Sequence, residues 1–155
     1  VGFKNKGHFK YSLSEAQIEL KKLNPNFQLD FNAIAQGYSV DVLMKFLKDR
    51  GHRNVYIELG GEIKLSGFKS NHRKWRIGIE KPSESNDTRN QIVQKSIDLT
   101  NAAIATSGNY RKYFEEDGQR YAHTINPKTG KQNRHKLLSA TVISSSCDYA
   151  DALAT

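Results

Sequence analysis

One long helical pattern followed by several short β-rich runs is the feature that most limits the fold of this chain. From residue 33 to residue 50 the apolar side chains recur at the spacing of an amphipathic helix, and Gly51 supplies a helix stop. Short runs rich in Val, Ile, Tyr and Trp come next, at residues 54–59, 62–68 and 74–79. These runs predict the strands of an antiparallel meander.

The remainder of the chain shows the same mixture of patterns. A capping box at residues 14–17 predicts a short helix that ends before Asn24-Pro25, and residues 27–31 have an extended pattern. Strands that follow strands, with helices at the ends, indicate an α+β fold rather than a doubly wound parallel sheet. We therefore expect residues 1–155 to form a single domain of mainly antiparallel sheet with flanking helices. The other predicted elements are strands at 91–99, 120–125 and 139–143, a helix start at 109–115 and a final helix near Cys147.

Charge and composition narrow the classes of partner. The 24 Lys and Arg residues exceed the 16 Asp and Glu residues, which gives a formal net charge of +8. An anionic partner would suit this excess, but the cations are scattered and a solvated basic surface is the simpler explanation. The aromatic residues fall mostly within predicted strands and helices, so we expect no nucleic-acid partner. No apolar stretch is long enough to span a membrane, and a single cysteine cannot form an internal disulfide.

The entry to the long helix carries the first candidate site. Asp30 stands at a predicted strand end, and a small-residue turn through Ala33 leads to Gln36-Gly37. A helix N-terminus favours phosphate, and an exposed carbonyl can ligate a hard cation. A plain helix entry with Asp30 or Asn32 as the cap is the competing interpretation.

Two further motifs are rich in glycine or hydroxyl groups. Leu59-Gly60-Gly61-Glu62 lies between two predicted strands and favours a hairpin or bulge over a ligand contact. Residues 105–110 offer two hydroxyls and a glycine ahead of a possible helix, so they could cradle a phosphate or form a helix cap. The sequence does not choose between these two roles.

One histidine and a pair of oxygen ligands could carry chemistry. His123 comes near the end of a strand, before a turn with Pro127 and Gly130, where an imidazole can accept a proton near pH 7 or have a structural role. Asp151 and Thr155 are four residues apart, so on a helix they share a face and could bind one ion or form an ordinary surface pair. One carboxylate, one hydroxyl and one backbone carbonyl suit Mg²⁺, which takes its remaining ligands from water and substrate phosphates.

Six segments in order resemble the FAD:protein FMN transferase family, the ApbE-like proteins formerly described as thiamine biosynthesis lipoproteins. These segments are LDFNAIAQGYSVD, LGGEI, WRIGI, ATSGNY, YAHTINPKTG and ADALAT. The resemblance begins at about Leu29 and implies an ApbE-like, T-fold-related domain. Family members are roughly twice this length, and the chain opens at Val1 without a methionine, so we expect it to be the C-terminal portion of a longer protein.

The resemblance assigns roles to particular residues. Asp30, Gln36 and Ile125 match family positions that contact FAD. His123 would be the general base that takes the proton from the acceptor hydroxyl. The family often has a charged Lys or Glu where this chain has Gln36, so this contact would be a neutral hydrogen bond.

The resemblance also implies a metal site. The carbonyl of Ala33, with Asp151 and Thr155, would hold Mg²⁺. Some family members carry a second acid where this chain has Ala154, so this chain would bind the ion with a smaller set of protein ligands.

The implied activity is Mg²⁺-dependent transfer of FMN from FAD to a Ser or Thr hydroxyl of a target flavoprotein, with release of AMP. Two alternatives stay open: hydrolysis of FAD to FMN and AMP, and a flavin- or nucleic-acid-binding module without turnover. Family members draw part of the FAD site from an N-terminal half, so we expect residues 1–155 alone to bind FAD weakly. The resemblance further implies a periplasmic or cell-surface location through a lipid anchor.

Overall fold

The computed structural model describes residues 9–13, 18–26, 28–82, 92–108, 113–116, 119–122, 130 and 137–155. The chain divides into two compact units, Val1–Phe31 and Asn32–Thr155. The expectation of a single domain stays a prediction.

The N-terminal unit contains one antiparallel hairpin. Strand β1 (Phe9–Leu13) pairs with strand β2 (Ile18–Lys22), and Tyr11 lies opposite Leu20. The prediction of a helix after the capping box is therefore wrong. Ile18 and Leu20 fit a two-residue repeat as well as a helical one, and pairing with β1 selects the strand.

The predicted long helix is confirmed as α1 (Ala35–Asp49) in the C-terminal unit. Its buried positions, Gly37, Val40 and Met44, recur at intervals of three and four and so share one face. Gly51 ends the helix with a φ of 88°, and its N–H donates to the Lys48 carbonyl at 2.9 Å. Only glycine adopts this conformation without strain.

A four-stranded antiparallel sheet packs against α1. Its spatial order is β10 (Ser139–Ser144), β7 (Ala103–Gly108), β4 (Glu62–Ser66) and β3 (Val55–Leu59). Strands β3 and β4 form the hairpin that the glycine pair predicted, and Gly60 and Gly61 have φ values of 66° and 110°. Positive φ at both central residues is the requirement of a tight hairpin turn.

The meander prediction is wrong beyond this hairpin. Strand β5 (Trp75–Glu80) pairs with β6 (Val93–Leu99), while the second neighbour of β4 is β7. Gly67, with a φ of 61°, turns the chain away from the sheet before β5 begins. The strands predicted at 91–99 and 139–143 are confirmed as β6 and β10.

Two segments predicted as a loop and as a helix start form strands where the structure describes them. Residues 105–108 belong to β7, so they form no helix cap, and the Thr106 hydroxyl meets the Thr141 hydroxyl of β10 at 2.9 Å. A phosphate contact of residues 105–110 stays a prediction, and residues 109–110 lie outside the described residues. Strand β8 (Tyr113–Glu116) covers the described part of the helix start predicted at 109–115, so the prediction is wrong there, and residues 109–112 lie outside the described residues. Strand β8 pairs with β9 (Gln119–Ala122). Strand β9 confirms the first part of the strand predicted at 120–125.

The final helix is confirmed as α2 (Cys147–Ala154), and it packs with α1 on one face of the sheet. Successive residues of β7 point to opposite faces. Ala103 packs with Val40 and Cys147, and Ala105 packs with two alanines of α2. Small side chains on this strand let α2 approach the sheet closely.

The opposite face of the sheet carries the larger apolar side chains. Leu65 and Ile104 pack there with Ile77 of β5, so the β5–β6 hairpin covers this face. None of the described helices is long and apolar enough to cross a membrane.

Candidate functional site

The start of α1 and the middle of α2 meet at one hydrogen bond. The Gly37 N–H donates to Oδ2 of Asp151 at 3.0 Å. A Cβ at residue 37 would lie 2.4 Å from the Cys147 carbonyl oxygen and 2.8 Å from the Asp151 Cβ. The two helices therefore touch at a point where only glycine fits.

Asp151 is a buried carboxylate that pairs with no cationic side chain in the part of the chain that the structure describes. Its relative exposure is 6%, and no Lys or Arg among the described residues forms an ion pair with it. Burial raises the pKa of this carboxyl, and the Gly37 N–H partly opposes the shift. A divalent cation would stabilise the ionised carboxylate, to which the described residues supply a single N–H donor, that of Gly37.

Ala33 lies in the turn directly before α1 and is half-buried. A helix that began one residue earlier would direct the Gly37 N–H to the Ala33 carbonyl, four residues before it. In this protein the Gly37 N–H is directed to Asp151, and the first backbone bond at this end runs from Tyr38 N–H to the Ile34 carbonyl. The Ala33 carbonyl therefore lies outside the helical hydrogen-bond ladder and can accept another partner.

Thr155 lies one turn after Asp151, at the end of α2. Its hydroxyl and its backbone N–H both donate to the Asp151 carbonyl at 3.2 Å. The hydroxyl proton is thus held by the helix, which leaves the oxygen lone pairs available to a cation.

The donor set fits Mg²⁺ by its chemistry. The three predicted ligands belong to one unit, and the contact between Gly37 and Asp151 brings α2 to the helix entry that follows Ala33. All three donors are oxygens, the ligands that hard cations prefer. In the part of the chain that the structure describes, no three or more His, Cys, Asp or Glu residues form a group suited to a metal. A site with one carboxylate therefore needs further ligands from water or from a phosphate.

The helix-cap interpretation of the Asp30 motif is wrong. Ile34 occupies the N-cap position of α1, so neither Asp30 nor Asn32 does. The carboxylate that meets the first turn comes from Asp151, far along the chain. Asp30 itself belongs to the N-terminal unit and is exposed, and its contact with FAD stays a prediction.

Gln36 lies against the glycine turn between β3 and β4. A Cβ at Gly60 would lie 2.3 Å from Nε2 of Gln36, so the absence of a side chain at Gly60 makes room for this amide. Gln36 is exposed, whereas Glu62 at the start of β4 is buried. The predicted FAD residue and the LGGE motif therefore meet, which the sequence did not predict.

Asp41 and Lys64 are part of the same helix junction, and sequence reasoning missed both. Oδ2 of Asp41 accepts the N–H groups of Cys147 and Asp148 at 2.7 and 3.0 Å. Oδ1 of Asp41 pairs with Nζ of Lys64 at 2.7 Å. Most of these partners are backbone groups distant in the sequence, so the side-chain pattern gave no signal for them.

The predicted general base, His123, and the third predicted FAD residue, Ile125, lie outside the described residues. Their roles stay predictions.

Together these features define an α+β domain with an oxygen-lined helix junction. The ApbE family profile matches residues 3–155. The chain belongs to the ApbE family, and the resemblance drawn from the six segments is confirmed.

The curated relatives and solved structures carry related names. The chain is 46% identical over 136 residues to the FAD:protein FMN transferase of Vibrio cholerae serotype O1, covering 88% of this chain and 40% of the relative. It is 40% identical over 142 residues to the enzyme of that name from Haemophilus influenzae, covering 92% of this chain and 40% of the relative. The apo crystal structure of the Pseudomonas stutzeri flavinyl transferase ApbE matches with a TM-score of 0.76 and 39% identity, over 95% of this chain and 42% of that one.

A more divergent structure gives the same result for the fold. The ApbE protein of Thermotoga maritima matches with a TM-score of 0.78 and 30% identity, over 93% of this chain and 44% of that chain. The α+β prediction is therefore confirmed. The chain spans about 40% of the length of the first two curated relatives.

Proposed function

We propose that this protein transfers FMN from FAD to a Ser or Thr hydroxyl of a target flavoprotein, with Mg²⁺ required and AMP released. The names of the relatives support flavin transfer. The observation that carries the Mg²⁺ requirement is the buried Asp151 carboxylate, which accepts a hydrogen bond from the start of α1. No cationic side chain among the described residues forms an ion pair with this carboxylate.

Asp151, the Thr155 hydroxyl and the Ala33 carbonyl would hold the ion. A Mg²⁺ bound there would neutralise charge on the pyrophosphate oxygens of FAD. The chain's own part is to position these donors. The Gly37 N–H fixes one carboxylate oxygen of Asp151, and the Thr155 hydroxyl is held one turn away on the same helix.

The transfer step is a substitution at phosphorus. The acceptor hydroxyl oxygen forms a bond to the phosphorus of the FMN half of FAD. The bond between that phosphorus and the bridging oxygen breaks, and AMP leaves with the bridging oxygen. His123 takes the hydroxyl proton, the role of a general base. Gln36, exposed beside the glycine turn, would hold FAD through a neutral hydrogen bond.

The proposal also includes a cellular location. We propose that the full-length protein acts on the periplasmic or cell-surface side of the membrane through a lipid anchor. The support for this placement is the family resemblance.

The test is a flavinylation assay with full-length protein, FAD and an acceptor flavoprotein, with and without Mg²⁺. The proposal predicts AMP release together with flavin fluorescence on the acceptor band of a denaturing gel, and loss of both without Mg²⁺ or in Asp151→Asn. AMP without covalent flavin would instead identify a FAD hydrolase. Binding of FAD with no AMP would identify a module without turnover.

A further inference from the structure

Helices α1 and α2 are joined by reciprocal hydrogen bonds, in which a carboxylate of each helix accepts N–H groups from the first turn of the other. Asp151 of α2 accepts the Gly37 N–H in the first turn of α1, at 3.0 Å. Asp41 of α1 accepts the N–H groups of Cys147 and Asp148, the first two residues of α2, at 2.7 and 3.0 Å. Each helix therefore supplies a negative charge to the positive N-terminal end of the other.

Lys64 of strand β4 links the junction between the two helices to the sheet. Its ammonium donates to Oδ1 of Asp41 at 2.7 Å and to the Ser145 carbonyl at 2.6 Å. The side chains of Lys64 and Asp41 are 14% and 21% exposed, so water screens this pair less than a surface pair. Lys64 therefore holds the segment that leads into α2, at the Ser145 carbonyl, and Asp41 holds the first turn of α2.

We propose that Asp41 and Lys64 are positioning residues for the metal site. They act through α2, because fixing its first turn sets where Asp151, one turn later, meets the entry of α1. This inference rests on the proposed function, since it takes Asp151 to be a Mg²⁺ ligand. Neither Asp41 nor Lys64 touches the ion or FAD in this account.

Positioning and simple charge effects predict opposite results at Lys64. If the two residues acted only through their charge, Lys64→Met would remove a positive charge near the site and tighten cation binding. If Lys64 positions α2, the same substitution weakens binding, because Asp41 and Ser145 lose their shared partner. Asp41→Ala weakens binding in both accounts, so Lys64→Met is the decisive variant.

The experiment measures the affinity of the ion directly. Mn²⁺ is titrated into full-length protein saturated with FAD in the absence of acceptor, and free Mn²⁺ is followed by electron paramagnetic resonance against a FAD-only blank. The variants are Asp41→Ala, Asp41→Asn, Lys64→Met and Asp151→Asn. Ile77→Ala, a buried side chain on the opposite face of the sheet, is the control for a general loss of stability.

The proposal predicts that Asp41→Ala weakens Mn²⁺ binding roughly 10-fold or more, as loss of a residue that orients a metal ligand commonly does. Lys64→Met weakens it as well, and Asp41→Asn, which keeps an acceptor for the α2 N–H groups, recovers part of the loss. Ile77→Ala lowers the unfolding temperature but leaves the affinity within about twofold, which is smaller than the effect of losing an orienting group.

Unchanged or tighter binding in Lys64→Met would overturn the positioning role while leaving the metal site intact. Parallel weakening in Ile77→Ala would also overturn it, because stability alone would then explain the effect. If wild-type protein binds no Mn²⁺, or Asp151→Asn binds it as wild type does, the metal site itself is wrong. The failure of the inference is thus distinguishable from the failure of the proposed function.

Discussion

The Gly37 N–H donates to the Asp151 carboxylate at 3.0 Å across a separation of 114 residues. This bond joins the first turn of α1 to the middle of α2. It also places the buried acid beside the turn whose carbonyl is the second predicted metal ligand.

Gly37→Ala should destabilise the protein and impair flavin transfer together. The added methyl group would lie 2.4 Å from the Cys147 carbonyl oxygen, a backbone atom that cannot move aside without separating the helices. Overpacking of this kind costs about 1–3 kcal/mol or more in the free energy of unfolding. Urea unfolding monitored by circular dichroism measures the loss.

Gly78→Ala is the matched control. A methyl group there would lie 3.2 Å from Cγ2 of Val93, a side-chain atom of an exposed residue. We expect a smaller loss of stability than in Gly37→Ala and unchanged transfer. Equal losses in the two variants would show that the helix contact has no special requirement for glycine.

Cys147 should resist alkylation in the native protein. The residue is fully buried, and its thiol lies 3.5 Å from the Ile63 carbonyl. Burial, with smaller contributions from nearby carboxylates, raises the pKa of the thiol to about 12, so almost no thiolate forms at neutral pH. Iodoacetamide followed by peptide mass spectrometry should label Cys147 only in denaturant. Rapid labelling of the native protein would mean that α2 opens readily.

Ionisation of the Tyr56 hydroxyl should lower the free energy of unfolding at high pH. Partial burial, and then the hydrogen bond to Glu58, raise the pKa of its hydroxyl to about 12 from 10.0. Between these two values the unfolded state loses the proton and the folded state keeps it, so stability falls as pH rises through this window. Tyr56→Phe should show a shallower decline of the unfolding temperature above pH 10. The same decline in both proteins would contradict the assignment.

His123→Ala should slow transfer while leaving FAD affinity largely unchanged. Loss of a general base commonly lowers the rate by about 10²- to 10⁴-fold. Single-turnover transfer and a separate FAD titration on full-length protein distinguish the two effects. Wild-type rates in the variant would remove the proposed role of this histidine.

The sequence predicted the elements whose side-chain pattern is long or has a specific turn. Helix α1 has more than four turns of apolar spacing, and the glycine pair at residues 60–61 defines the hairpin between β3 and β4. The failures have physical causes. Strand β2 has five residues, too few to separate a helical repeat from a strand repeat. On the face of strand β7 that packs against α2, Ala103 and Ala105 are small, and small residues carry little strand preference.

Only the local geometry of the candidate site could be predicted from the sequence, for a similar reason. The spacing of Asp151 and Thr155 is local, so the sequence showed that they share one face of a helix. The partners of Asp41 are mostly backbone N–H groups about 106 residues away, and nothing in a side-chain pattern marks such donors. Gln36 and Gly60 likewise meet only because α1 packs beside the β3–β4 turn.

Binding of Mg²⁺ by Asp151 is tested by the Mg²⁺ dependence of unfolding in wild-type protein and in Asp151→Asn. The asparagine keeps an oxygen that accepts the Gly37 N–H but loses the charge that would bind the ion. In calorimetry of full-length protein with FAD, Mg²⁺ at about 100 times its dissociation constant should stabilise the wild type by about 2.7 kcal/mol. We expect this gain in the wild type and none in Asp151→Asn. Equal stabilisation of both proteins would contradict the assignment of Asp151 as the metal ligand.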